Sequence, residues 1–383
     1  MILSSLDLTD YRNYHALHCS FCPGINLITG ANAQGKTNLI ESVYYLSIGK
    51  AYRQARDEQL IRWGEQAFHI EGSVESRRGA IDIEIHYIKE AKPSKTITVD
   101  GFRGTTGESL SGAFTSVLFS PESMAIIKGS PQERRGLLDY DIGQISPVYS
   151  ADHYKYRRLL AQRNALLKKL GPLSMPQQDK RERLSVWDQQ LVSVGSRLIE
   201  KRLMFVEKLA PLARLMQRRL TGGKENMEMQ YLLYAKKAAS VGKNAEGRWD
   251  IAAWLREVCE SSLEDDLRFG STQWGPHRDD IRITVDGMDV RRYGSQGQQR
   301  TAILSVKLAE LELFRGESGE YPILLLDDVL SELDESRQQQ LLEMVNEKWI
   351  QCLITSTEAK NIVLIEKRQN KRFLVNRGEI KEN

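Results

Sequence analysis

The constraint that bears hardest on the fold is an eight-residue turn, GANAQGKT at 30–37. It lies between the apolar run INLI and a stretch, NLIESVYYL, whose apolar residues recur at helical spacing. Gly30 and Gly35 bracket four residues and are followed at once by Lys36 and Thr37. Glycines so placed let successive backbone N–H groups curl around a polyphosphate, and a helix that begins near Lys36 points its positive end at the same anion. The Lys36 ammonium neutralises the terminal phosphates, the Thr37 hydroxyl is available to Mg²⁺, and Ala31, Asn32, Gln34 and Asn38 complete the cradle of an ATP site. Strand, turn and helix are therefore expected in that order, with the ligand at the carboxyl edge of a sheet.

Such a loop needs a carboxylate partner, and the chain supplies one only near its other end. ILLLDD at 323–328 is apolar on both faces, as a buried parallel strand is, and ends in two acids. It delivers Asp327 to the metal shell and Asp328 to the attacking water. Two strands of one sheet thus come from opposite ends of the chain, and everything between them must leave the sheet and return. YGSQGQQR at 293–300 opens the helix before the acid strand. A Ser-x-Gly-Gln turn at a helix N-terminus is a second anion site, although the nucleotide already has its loop. Ser295, Gly297 and Gln298 find a use if two chains pack head to tail, each serine turn meeting the γ-phosphate held by the partner's Lys36. SELD at 331–334 then falls where a loop crosses between the two copies.

With 383 residues and 41% hydrophobic content, the chain is long enough for a large core divided among two or three lobes. Residues 1–130 read as β-rich: AIDIEIHYI alternates over most of its length, and Asp100-Gly101 makes a hairpin turn. Residues 131–224 read as helical. Two periodic stretches, Pro147–Leu170 and 183–220, flank GPLSMPQQ, which predicts an antiparallel hairpin. That hairpin forms an arm of about 50 Å, bent at Pro211. In its second helix the apolar spacing has one gap, filled by Lys201. Residues 225–383 alternate helix and strand around YGSQGQQR and ILLLDD. The expected fold class is α/β, an ABC-type ATPase head (a split P-loop NTPase with mixed β-sheets) plus a short helical-hairpin lobe.

The N-terminal residues carry no basic segment leading into an apolar one, and no run reaches membrane-spanning length; a cytoplasmic, nucleoid-associated protein with no membrane partner is expected. Cys19 and Cys22 form a CxxC, but Cys259 and Cys352 stand alone, so the four read as buried thiols rather than a zinc cage. In GPHRDD, 275–280, one histidine beside two consecutive acids is a poor metal set, since neighbouring side chains on an extended segment point opposite ways; a structural or coupling role is favoured.

The formal net charge of +3 hides an asymmetry: residues 150–224 hold 17 Lys and Arg against 6 Asp and Glu. Lys155, Arg157, Arg158, Arg163, Lys168 and Lys169 fall on one helix, with Arg197, Lys201, Arg202, Arg214, Arg218 and Arg219 on the next. Such density suits phosphate contacts that hold DNA without reading its sequence; the bland counterpart is a solvated face that only confers solubility.

Taken in order, YRNY, GANAQGKTNLIESVYYLSIGKAYR, LFSPE, KGSPQERRGLLD, GPHRDDI, YGSQGQQR and LLLDDVLSELD resemble the RecF family of bacterial recombination mediator ATPases over essentially the whole chain. The resemblance implies ATP-dependent homodimerisation and weak, DNA-stimulated hydrolysis. It also implies loading at double-stranded or gapped DNA with RecR, and with RecO in the same pathway. It makes Lys36 and Thr37 the phosphate and Mg²⁺ contacts, Asp327 the metal-shell acid, Asp328 the catalytic acid, Ser295 the serine acting in trans, and Arg53 or Arg56 an arginine that senses nucleotide. Two departures from the wider ABC pattern stand out. Asp328 is one methylene shorter than the usual glutamate, and ITST at 354–357 offers hydroxyls where many such heads carry a histidine. Slow turnover is expected. Two other classes are consistent with a phosphate loop: a transporter's energy subunit, against which the long basic insertion argues, and a scaffold in which nucleotide only gates dimerisation.

Overall fold

The computed structural model describes residues 1–53, 55–91, 93–104, 107–234, 249–357 and 369–383. In chain order the N-terminal part runs β1 (Ile2–Tyr11), β2 (Tyr14–Ser20), β3 (Ile25–Thr29), α1 (Lys36–Ile48), β4 (Ala67–Ser76), β5 (Gly79–Ile88), β6 (Ser94–Val99), β7 (Phe102–Gly104) and β8 (Ser116–Phe119). Helices α2 (Ala125–Lys128), α3 (Pro131–Ile145), α4 (Pro147–Leu170) and α5 (Gln177–Leu220) follow. Then come β9 (Met227–Leu232), α6 (Ile251–Ser261), α7 (Leu263–Phe269), β10 (Asp280–Val285), β11 (Met288–Asp289) and α8 (Val290–Tyr293). The chain ends with α9 (Gln296–Ser318), β12 (Ile323–Asp327), α10 (Glu335–Glu347), β13 (Cys352–Ser356), β14 (Lys371–Asn376) and β15 (Glu379–Glu382).

One sheet has the order β15-β14-β3-β13-β12-β8, parallel throughout except for β15 at its edge. It joins β3, from the start of the chain, to β12, from near its end, with β13 between them. The strands are apolar on both faces because both are covered. Leu324 and Leu326 of β12 enter the helix-side core with α3, α5 and α9, whereas Ile323 and Leu325 enter the core shared with α1 and the second sheet. Each leucine so buried contributes about 1.5–3 kcal/mol. The second sheet is antiparallel, in the order β2-β1-β4-β5-β6-β7. Asp100 and Gly101, with φ of 49° and 80°, make the β6–β7 turn that their sequence predicts, and Asp286-Gly287, with φ of 50° and 79°, turns β10 into β11.

The helical hairpin forms, but it is no free arm. Helix α5 runs 44 residues, about 66 Å along its path, and continues past Pro211. Its C-terminal half buries Val206, Leu209, Ala213 and Met216 in the same core as Ile303 and Val306 of α9. The buried stripe passes through Arg202, and Lys201, which the apolar spacing points to, is exposed. No helix among the described residues is long and apolar enough to cross a membrane.

Candidate nucleotide site

The phosphate loop hangs between β3 and α1, and its backbone leaves little choice of residue. Gly30 sits at φ 148°, and a Cβ there would lie 2.3 Å from the Val375 carbonyl of β14. Gly35, at φ 121°, would place its Cβ 2.5 Å from Asn13 Nδ2. The YRNY turn braces the loop from below: Asn13 Nδ2 donates to Gln34 O at 2.9 Å, Tyr14 OH donates to Gly35 O at 3.0 Å, and Asn38 Nδ2 donates to Asn13 Oδ1 at 2.7 Å. From the C-terminal hairpin, the Arg377 amide donates to Gln34 Oε1 and the Gly378 amide to Gln34 O, at 2.8 and 3.1 Å. Ala31 and Asn32 form the exposed crest. Lys36 folds its ammonium back across the loop, donating to Gly30 O at 2.8 Å and Ala31 O at 2.9 Å. Burial lowers its pKa, while Asp328 and Asp327 oppose that shift.

Asp327, 2% exposed at the carboxyl end of β12, gathers three hydroxyl donors: Thr37 at 3.1 Å and Thr355 at 2.8 Å on Oδ1, and Tyr52 at 2.9 Å on Oδ2. The Thr37 hydroxyl and the Asp327 carboxylate, brought together from β3–α1 and β12, are a hard oxygen pair of the kind that shares Mg²⁺ with waters and phosphate oxygens, so the residues fit that ion. Asp328 adopts a left-handed φ of 53°, and its amide donates to Thr355 Oγ1 at 2.9 Å. Burial raises its carboxyl pKa, Lys36 lowers it, and Asp327 adds to the rise. One hydroxyl of ITST therefore grips both acids. Arg53 stacks on the Tyr52 ring and lies 3.8 Å from Asp327 and 3.7 Å from Glu122, whereas Arg56 points to solvent beside Glu58. That geometry selects Arg53 over Arg56 as the arginine facing the site. Tyr52 and Glu122 are the residues that sequence reasoning missed; Tyr52 sits in a turn and Glu122 in a single 3-10 turn, Pro121–Met124, both too short to carry a periodic signal.

Ser295 caps α9, accepting from the Gln298 amide at 3.2 Å, while Gln298 Oε1 accepts from the Ser295 amide at 3.0 Å. The turn is exposed, and a Cβ on Gly297 would meet nothing closer than 3.9 Å, so the space beside Gly297 is open. Nearby in sequence to the acid pair, Ser331 donates to Asp328 O at 3.0 Å and Asp334 caps α10.

The basic segment divides in two. Lys155, Arg157, Arg158, Lys168 and Lys169 are exposed on α4 and make no ion pair among the described residues. Arg163 does not belong with them. It is fully buried, donates to Asp188 at 2.6 Å, Asp266 at 2.6 Å and Thr272 at 2.9 Å, and lies over Trp274, so it cannot reach a DNA phosphate. Arg202 is likewise buried, donating to Asp139 at 2.6 Å, Tyr149 OH at 2.8 Å and Pro276 O at 2.6 Å. GPHRDD completes this interior network. His277 pairs with Tyr156 OH at 2.8 Å, burial pushing its pKa down to about 4, and Asp279 accepts from Tyr231 OH at 2.6 Å. Among the described residues no His, Cys, Asp and Glu cluster suits a metal, and all four cysteines are buried free thiols.

A parallel sheet that carries a phosphate loop after one strand and its acid pair two strands away, with a serine-capped turn opening the helix before the acids, defines an ABC-type ATPase head. A family profile described as "RecF/RecN/SMC N terminal domain" matches residues 2–379. The chain is 40% identical over 382 residues to "DNA replication and repair protein RecF" of Bacillus subtilis (strain 168), covering 99% of this chain and all of that one. It is 38% identical over 380 residues to the protein of the same name from Staphylococcus carnosus (strain TM300), again covering 99% of this chain and all of the relative. It belongs to the RecF family of DNA replication and repair proteins. A solved structure described as "Structure of the recombination mediator protein RecF-ATP in RecFOR pathway" superposes with a TM-score of 0.89 at 34% identity, covering 100% of this chain and 97% of that one. The Smc head domain of Pyrococcus furiosus shares the fold, with a TM-score of 0.55 at 15% identity over 100% of this chain and 95% of that one.

Proposed function

We propose that the protein is a DNA-binding ATPase of recombinational repair: it closes as a head-to-tail dimer on ATP, holds double-stranded or gapped DNA, and uses slow, DNA-stimulated hydrolysis for release. Head halves 1–130 and 225–383 would carry the nucleotide site, and the lobe 131–224 the DNA face. The observation that carries the reading is the pair of complementary half-sites on one chain, a loop with a cationic tip at Lys36 and an open serine turn at Ser295. Within a dimer, Gly30, Ala31, Asn32, Gln34, Gly35 and Asn38 shape the loop, Lys36 neutralises phosphate, and Arg53 leaves its two loose carboxylate neighbours for the incoming anion. Thr37 and Asp327 hold Mg²⁺, which supplies charge neutralisation and orientation of the phosphates. Asp328, with its short reach, positions the attacking water, and Ser295, Gly297 and Gln298 seal the partner's site. The five exposed arginines and lysines of α4 give sequence-independent affinity for DNA, with a slope of log K against log salt of about −4.5 for some five phosphates. Delivery of recombinase through RecR, with RecO in the same pathway, completes this reading, and the relative described as a recombination mediator in the RecFOR pathway is consistent with it.

The test is Asp328→Asn. A cycle driven by hydrolysis stalls as a DNA-bound dimer in ATP, seen by sedimentation with a short duplex. A scaffold merely gated by nucleotide releases DNA as the wild type does, and that result would set this reading aside.

A further inference from the structure

A cavity of 180 Å³ opens where α2, β10 and α8 meet, a few residues ahead of the serine turn. Its floor is aliphatic: Ile126 and Ile127 from α2, Ile281 and Ile283 from β10, and Val290 from α8. Its charges are lopsided. Two acids line it: Asp280 is neutralised by a bidentate pair from Arg134 at 2.6 and 3.0 Å, while Asp289 Oδ1 caps α8, accepting the amides of Arg291 and Arg292 at 2.9 and 3.3 Å, which leaves one carboxylate against three further arginines. Arg282, Arg291 and Arg292 stand around the rim, exposed, with no carboxylate partner among the described residues. Beside them Met288 is 54% and Tyr293 65% exposed.

We propose that this cavity is a docking seat for an acidic segment of a partner protein, which inserts one aliphatic side chain and lays flanking carboxylates on the three arginines. The volume is below the 300–1,000 Å³ or so of small-molecule pockets and suits a single side chain. Arginine, methionine and tyrosine are the types enriched at protein interfaces, and an anchor in a small pocket ringed by charge is how such interfaces concentrate affinity. A DNA backbone also offers anions, but it brings no aliphatic knob for an isoleucine-lined floor. The seat is tied to the signature turn. The Val290 carbonyl accepts from Gln299 Nε2 of α9 at 3.0 Å and from the Gly294 amide at 3.1 Å, so a seated guest holds the residue next to Ser295 in place.

Fluorescence anisotropy with the full-length protein tests this, using a labelled peptide of sequence Asp-Glu-Asp-Leu-Glu-Asp, the same peptide with glycine for leucine, and a 20-base-pair duplex. The expected result is saturable binding of the leucine peptide, weakened about tenfold or more by combined Arg282→Glu, Arg291→Glu and Arg292→Glu, with duplex affinity unchanged. The glycine peptide should bind the wild type about fivefold or more weakly, a comparison that does not depend on how the variant folds. The proposal is overturned by a lack of saturation up to about 1 mM, by equal binding of the two peptides, or by a triple variant that loses the duplex and keeps the peptide.

Discussion

Thr355 offers the sharpest test of how the acid pair is held. Its hydroxyl, 1% exposed, donates to Asp327 at 2.8 Å and accepts the Asp328 amide at 2.9 Å, while Asp328 itself occupies a left-handed φ of 53°. Thr355→Val keeps the shape and deletes both bonds. Leaving the part-buried Asp328 amide without its acceptor costs about 1 kcal/mol, the low end of the range for a buried donor, and a hydrogen bond to a charged group is worth about 1.5–3 kcal/mol. After partial relaxation the two sum to a loss of about 3 kcal/mol in urea unfolding without nucleotide. The functional effect is larger in kind: Asp327 loses one of the donors that orient it toward Thr37, and loss of such a support costs about 10–100-fold in metal affinity. Mg²⁺ titration of ATP binding, followed with a fluorescent ATP analogue, should show the half-saturating concentration rise by that factor. Thr355→Ser, which removes only a methyl worth about 1 kcal/mol, should leave the Mg²⁺ dependence intact. If valine and serine behave alike in that titration, the hydroxyl does not hold the site and the reasoning fails.

Three further outcomes are expected. Asp141 of α3 and Glu310 of α9 are buried around a single lysine, Lys307, which lies 2.9 Å from Glu310, and burial raises both carboxyl pKa values. Raised acids bind protons more tightly folded than unfolded, so their contribution is complete below the ordinary carboxylate range and declines as pH climbs through the raised values. Urea unfolding between pH 4 and 8 should show that decline, and Asp141→Asn should flatten it; an unchanged slope would contradict the buried pair. Arg163→Met strands Asp188 and Asp266 and should lower stability by about 3–5 kcal/mol, whereas reversal of Arg157, Arg158, Lys168 and Lys169 to Glu should abolish duplex binding at unchanged stability. Comparable DNA loss in a folded Arg163 variant would refute the division of the basic segment. Gly30→Ala forces a Cβ to within 2.3 Å of Val375 O at φ 148° and should remove ATP binding, measurable by equilibrium dialysis.

The sequence shows the nucleotide half-site because its chemistry is local: glycines, lysine and threonine sit in one turn, and ILLLDD declares a strand buried on both faces. The terminal hairpin is harder to see. KRFLVN and EIKE are short, charged and turned by Arg377-Gly378, with φ of 50° and 81°, rather than by an Asn-Gly or Asp-Gly pair. Among the basic residues, charge type alone does not separate buried from exposed. Spacing could have done so: Tyr156, Leu159, Arg163, Leu167 and Leu170 step by three and four along one face of α4, so Arg163 stands in the buried stripe. Arg202 stands likewise between Leu198 and Val206 of α5. Tyr52 and Glu122 reach Asp327 and Arg53 through tertiary placement of a turn and a single 3-10 turn, too short to show a sequence period.

The composite site, a lysine loop from one copy closed by a serine turn from the other, is tested most directly by mixing two inactive chains, Lys36→Ala and Ser295→Arg. Each alone should neither dimerise on ATP nor hydrolyse it. In an equal mixture only mixed dimers form, each pairing one intact Lys36 loop with one intact Ser295 turn at one of its two sites, and DNA-stimulated hydrolysis should return to about half of the wild-type rate. A mixture as inactive as its parts would contradict the account.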